Sequence, residues 1–383
     1  METTDILFAL LRHAACGEEL NAETKKVCTP ENLEAVYTLA KKHDLAHLVA
    51  FAVEGLDVPA CEVLTKLKNV KMRAIYRYAR MDLEFERLCQ TLEDVQIPFI
   101  PLKGSVLRQY YPQPWMRTSC DIDVLVQPEN LHRAVMLLEE KLCYRRHGKG
   151  PHDISMMSAG GIHVELHYDL IEEADSSQAR KILENIWEQC SPKAEFACYY
   201  QMPWELFYFY HVAHMAKHFL HGGCGIRPFL DIWVMENRVK HDGSQRYNLL
   251  RQGGLLAFAH GSEKLAACWF GDASWDVDTE QFAAGVLCGG TYGTVSNRLS
   301  IERASGKKEK LPLHRFLIPY EDLKYYYPIL EKKRWLTPIC QILRWFRLLA
   351  SIKKRAGNRL RGNHVLFQQE GNMQQLLRYL ELQ

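Results

Sequence analysis

Asp121-Ile122-Asp123-Val124-Leu125-Val126 limits what this chain can fold into more than any other segment. The run is short, apolar and rich in branched residues, so it reads as a buried strand. Along a strand, residues i and i+2 point to one face, with Cα atoms roughly 7 Å apart. Asp121 and Asp123 therefore share a face of an otherwise apolar strand. Two carboxylates placed so repel each other and cost stability unless a cation lies between them. Hard oxygen donors on a rigid strand suit Mg²⁺, which keeps some waters and recruits phosphate oxygens. The plainer alternative, a turn-forming Asp pair at a strand start, leaves that repulsion without a use.

The surrounding pattern implies an α+β fold. A small mixed sheet is flanked by helical additions on both sides, with boundaries at 1–95, 96–175 and 176–383. Leu33, Val36, Leu39 and Ala40 fall at helical spacing after Thr29-Pro30, a cap followed by a first-turn proline. A second helix covers roughly 60 to 95, with Met81, Phe85, Leu88 and Leu92 on its packed face. The run Val95 to Leu102 reads as a strand, and Pro98 and Pro101 restrict it to an edge. A helix opens at Pro128-Glu129, followed by strands near 144–146, 153–157 and 162–167. The chain is then mainly helical, with spans at 179–189, 204–220, 228–239 and 373–382. The Gly-, Ser-, Lys- and Arg-rich segment 289–312 reads as a surface loop or lid.

Two further segments carry chemistry. Lys103-Gly104-Ser105 stands where a strand gives way to a helix. Glycine lets a backbone approach a phosphate, and a helix start offers free N–H groups. Gly-Ser is common in turns, so this element gains weight only beside the Asp pair. In His163-Val164-Glu165-Leu166-His167 polar and apolar residues alternate, which sets Glu165 on one face with both histidines. A third carboxylate there would complete a two-metal site, although a half-exposed edge strand would show the same alternation. Asp153 and Asp169 are the alternative third acids.

The bulk numbers exclude little. The 383 residues carry 25% charged side chains and a formal net charge of +2, so any attraction to a polyanion must be local. No apolar run is long enough to span a membrane, and the N-terminal residues lack a signal-peptide pattern, so a cytoplasmic location is expected. Twelve scattered cysteines without a C-x-x-C pair argue against a zinc knuckle.

The order Gly-Ser, Asp-x-Asp and a later strand acid resembles the nucleotidyltransferase superfamily with the DNA polymerase β-like core. It is closer still to a bacterial group of mostly uncharacterised nucleotidyltransferases. The matching residues are Ile100 to Ser105, Tyr111-Pro112, Arg117, Asp121 to Val126 and Glu165-Leu166-His167. They continue through His211, His214, Lys217 and His218 to Arg227 and Leu230-Asp231-Ile232. The resemblance implies that an acceptor hydroxyl attacks the α-phosphate of an NTP and that pyrophosphate leaves. It implies that Asp121 and Asp123 hold two Mg²⁺ ions, with Mn²⁺ an alternative. Glu165 would hold the catalytic ion and help deprotonate the acceptor. Lys103, Gly104, Ser105, Arg117, Lys217 and His218 would bind the nucleotide. The acceptor is a small molecule, a protein side chain or an RNA end, and the motif does not choose among them. A nucleotide-binding module without turnover is the reading from another class.

His211, His214, His218 and His221 share one helical face. They lack the acidic residue of a zinc-protease motif and read as a stripe lining a cleft. Arg227 and Asp231 are a candidate structural pair. The basic stretch 332–361, interleaved with Trp335, Leu343, Trp345, Phe346 and Leu349, reads as an amphipathic helix packing its aromatic face. Its basic face would suit an anionic partner.

Overall fold

The computed structural model describes residues 1–170, 177–291, 293–304, 320, 323, 327–331, 333–345 and 373–382. Contacts divide the chain into two units: residues 1–298 with 378–382, and residues 299–377. The sheet and every residue singled out around the Asp pair lie in the first unit.

Helices precede the sheet. Thr29 caps the helix Pro30–Lys42 by accepting from the Asn32 N–H, and Pro30 occupies the first helical position. The helix Glu62–Asp94 runs for 33 residues. Val63, Leu67, Met81, Leu88 and Leu92 recur on its buried side, so packing of one apolar stripe sustains its length.

Five strands follow: β1 (Phe99–Pro101), β2 (Asp121–Val126), β3 (Arg145–Lys149), β4 (Asp153–Met157) and β5 (His163–His167). Their order in the sheet is β1-β2-β5-β4-β3. β2 and β5 are parallel, and the other neighbours are antiparallel. β1 is the edge strand that its prolines require, and a single bridge from Phe99 to Tyr199 lies beyond it.

The two faces of the central strands differ in chemistry. Ile122, Val124, Val126, Ile154, Met156, Val164 and Leu166 face a core that also contains Leu88, Leu92, Ala134, Val135 and Leu138. The last three come from the helix Leu131–Leu142, which carries the chain away from β2. Each fully buried aliphatic side chain contributes about 1.5–3 kcal/mol. A slip of one residue would exchange the apolar set for the acids, so the β2–β5 register is strongly specified.

After the sheet, the helix Trp204–Leu220 buries residues on nearly every side. The helix Arg227–Arg238 packs against the helix Leu256–Phe270. Three expectations change. The span 179–189 is two helices, Ser177–Leu183 and Ile186–Gln189, because the chain leaves helical geometry at Asn185 (φ −108°, ψ 42°). Val295–Ala304 is helical where composition suggested a loop; residues 305–312 of that segment lie outside the described residues. In the second unit, residues 337–345 are helical, but Trp335 and Leu343 are exposed rather than packed. Residues 332 and 346–361 of the basic stretch lie outside the described residues. Among the described residues no helix is long and apolar enough to cross a membrane.

Candidate active site

The polar face of the sheet gathers the acids. Asp123 is opposite Glu165 in the β2–β5 pairing, and Asp121 is opposite His163. Ser155 on β4 is opposite Glu165 from the other side. Ligand atoms of Asp121, His163 and Glu165 lie within 4.8 Å of one another, as do those of Asp123, Glu165 and His167. Glu165 belongs to both groups and links the two aspartates.

Asp123 is buried, 3% exposed. Its Oδ1 accepts from Lys103 Nζ at 2.8 Å and from His167 Nε2 at 2.9 Å. Burial alone would raise its pKa, but the Lys103 and His167 charges outweigh burial and hold the carboxyl well below the usual range. Asp121 has the opposite balance. Burial, then repulsion by Asp123 and Glu165, pushes its carboxyl up to about 6, and Lys103 and His163 offset only part of this. His167 is raised, because hydrogen bonds to Asp123 and Glu165 overcome its burial. Glu165 Oε2 lies 3.5 Å from His167 Nε2, and its Oε1 lies 3.9 Å from His163 Nδ1. Ser155 Oγ and His163 Nε2 are hydrogen-bonded at 2.6 Å and orient that ring.

Lys103 reaches Asp123 from an unusual turn. Its backbone has φ 48° and ψ −119°, and the Ser105 N–H donates to the Leu102 carbonyl at 3.2 Å. This is a type II′ turn with lysine where glycine is normal, a strain of about 1–3 kcal/mol. Leu102 N–H donates to the Asp123 carbonyl at 3.0 Å, which ties the turn to β2. The helix Gly104–Leu107 begins immediately. Gly104 is buried, and a Cβ there would meet Ser119 Cβ at 3.2 Å. Close packing therefore accounts for this glycine, whatever else approaches the loop. Ser105 is half-buried beside it.

The histidine stripe divides by role. His211 is buried with Nε2 3.2 Å from the Pro228 carbonyl oxygen. His214 and His218 contact through their Nε2 atoms at 3.1 Å. Burial, then Lys217 and Lys103, lowers His218 to about 4. Burial, then Lys103 and His218, holds His214 well below its ordinary value. Both rings are therefore neutral near pH 7 and exchange a hydrogen bond rather than a charge. His221 is exposed, and its Nδ1 lies 2.8 Å from the Lys217 carbonyl oxygen. Lys217 is half-buried; burial and Lys103 lower its pKa, against Glu165 and Asp153. Lys217 thus shares the field of the acidic centre.

Arg117 is placed elsewhere. Its Nε and Nη2 donate to the two Asp231 oxygens at 2.7 and 2.8 Å, and Tyr111 Oη donates to Asp231 Oδ1 at 2.7 Å. Arg117 and Asp231 are 8% and 0% exposed, so this guanidinium is committed to a buried pair. The Arg227–Asp231 pairing considered above does not form, because Arg227 Nη1 binds Asp44 Oδ2 at 2.9 Å. Sequence reasoning missed Lys103 as the partner of Asp123, and Asp44 as the partner of Arg227. The alternation in His163–His167 set both rings on the face of Glu165, where the structure has them, but did not show the contact of His167 with Asp123. A separate cavity of about 480 Å³ beside β1, lined by Val106, Tyr110, Tyr199 and Trp204 among others, includes none of the carboxylates.

A family described as "Uncharacterised nucleotidyltransferase" matches residues 29–271. The chain belongs to this family. The nucleotidyltransferase has no match among curated proteins. One solved structure is similar, the solution structure of the antibiotic-resistance factor ANT(2'')-Ia, at 13% identity and a TM-score of 0.27. The match covers 54% of this chain and 95% of that one, and at that score nothing further rests on it. Membership makes the protein a transferase of the nucleotidyltransferase class.

Proposed function

We propose that this nucleotidyltransferase moves a nucleoside monophosphate from an NTP to an acceptor hydroxyl and releases pyrophosphate, with divalent ions at Asp121, Asp123 and Glu165. The observation that carries the reading is the meeting of these three carboxylates at the β2–β5 pairing. The donor chemistry fits such an ion. Oxygen ligands dominate, and burial, then repulsion by Asp123 and Glu165, raises Asp121 to about 6; a divalent ion relieves that repulsion. Bound Mg²⁺ would supply charge stabilisation to the triphosphate and the departing pyrophosphate.

The protein's own groups do the rest. Glu165, opposite Asp123 and within 4.8 Å of a ligand atom of each aspartate, accepts the acceptor's proton or orients its hydroxyl. The Gly104 backbone, Ser105 and Lys217 hold the outer phosphates. His218, neutral at pH 7, hydrogen-bonds there without adding charge. Arg117 has no part in this reading, since Asp231 occupies it.

The test is transfer of label from α-labelled NTPs into a cell lysate or its small-molecule, protein and RNA fractions, with Mg²⁺ or Mn²⁺ supplied. Asp121→Ala and Asp123→Ala should each lower labelling by about 10³-fold or more, since each tenfold corresponds to about 1.4 kcal/mol of transition-state stabilisation. Equal labelling by wild type and by the double variant would remove the proposal.

A further inference from the structure

Asp123 carries more cationic company than a carboxylate awaiting a metal ion needs. One oxygen, Oδ1, receives both the Lys103 ammonium at 2.8 Å and the His167 imidazole at 2.9 Å. A divalent ion about 2.1 Å from either oxygen of this carboxylate would stand within a few ångströms (~3–5 Å) of that ammonium. Two cations cannot share the carboxylate in a buried site without strong repulsion.

The turn behind Lys103 adds a second, independent observation. Glycine fits its φ of 48° and ψ of −119° without strain, yet this chain keeps a lysine there. The turn is fixed at both ends, by Ser105 N–H to Leu102 O and by Leu102 N–H to Asp123 O. The strained backbone therefore aims the side chain at β2, and the four-carbon stem can swing toward solvent without moving the turn.

We propose that Lys103 is a displaceable counter-cation: its ammonium and a divalent ion are alternative partners of Asp123, and loading of the ion turns Lys103 outward to the phosphates. The inference rests on reading the centre as a divalent-cation site. The lysine would neutralise Asp123 between turnovers and set a threshold that the ion must overcome.

Calorimetric titration of the full chain with Mn²⁺ and with Mg²⁺ separates the two claims. Lys103→Met keeps the stem and removes the charge. Lys103→Gly removes the charge and relaxes the turn, and that relaxation offsets part of the stability lost with the buried pair. Both variants should bind the ion roughly tenfold more tightly than wild type, because the competitor is gone. In wild type, reductive methylation read by peptide mass spectrometry should modify Lys103 several-fold more when the ion is present. If no form binds a divalent ion, the reading of the centre falls. If wild type binds and neither variant binds more tightly, or if the ion leaves Lys103 methylation unchanged, the counter-cation role falls and the metal site stands.

Discussion

Exchange of Asp121 for asparagine removes a carboxylate that its neighbours repel, whereas the same exchange at Asp123 strips Lys103 and His167 of their anion. The two substitutions, two positions apart on one strand, should therefore act with opposite sign on the protein without divalent ions. Asp123→Asn should cost about 3 kcal/mol, the typical loss when one partner of a buried pair is removed. Asp121→Asn should be neutral or stabilising; urea denaturation of both variants decides. The same group governs pH dependence. Its folded value near 6 exceeds the value of about 3.9 for an unfolded Asp. The stabilisation from keeping it protonated is whole below pH 4 and is lost as pH rises through 6, on the order of 3 kcal/mol. Ion binding must expel that proton, so Mn²⁺ affinity should fall as pH drops from 7.5 to 5. An affinity that is flat over this range would contradict the value. The Asp pair was legible in the sequence because a strand's period of two is a local rule. The Lys103 contact was not, since it depends on a positive-φ turn at a lysine, which no composition rule predicts.

The long helix Glu62–Asp94 reaches past its own end to fasten a distant segment. Glu93 accepts from the backbone N–H groups of Ala197, Cys198 and Tyr199 at 2.6 to 3.1 Å. Hydrogen bonds to a charged acceptor contribute about 1.5–3 kcal/mol each at the upper end, and exposure reduces this. Glu93→Ala should therefore lower stability by about 2 kcal/mol. It should also speed hydrogen exchange at residues 197–199 more than at β2, as mass spectrometry can resolve. The length and packed face of this helix were legible beforehand, because apolar spacing is carried within it. Its latch stayed hidden, as it joins residues more than a hundred positions apart. The helix Val295–Ala304 was missed for the converse reason: flanking Gly, Ser, Lys and Arg obscured a short run of adequate helix formers.

Within the first unit, residues that resembled site chemistry tie distant segments together. Tyr111, Arg117 and Asp231 bind the segment between β1 and β2 to the helix Arg227–Arg238, and Arg227 with Thr118 reaches Asp44 in the N-terminal helices. Asp231→Ala would leave Arg117 buried without an anion and should cost about 3–5 kcal/mol. Tyr111→Phe leaves that pair intact and should cost about 1 kcal/mol. Thermal denaturation of the two variants separates a structural lock from a phosphate contact, since a phosphate-binding arginine would leave stability nearly unchanged when its partner is lost. A sequence gives the charge of Arg117 but not the address of its partner, which is why the arginine read as a nucleotide contact.

The pairing of β2 with β5 has a kinetic consequence. Asp123 and Glu165 become neighbours only when these parallel strands dock, and parallel pairing across a long connection is intrinsically slow. Before docking the acids are hydrated and far apart; at docking they lose water and approach like charges together. Assembly of the site therefore works against the chain's own collapse, and the barrier should carry an electrostatic part that salt, mild acid or a divalent ion lowers. Stopped-flow refolding should accelerate when Mg²⁺ is present from the start, and Asp121→Asn should refold faster than wild type without it.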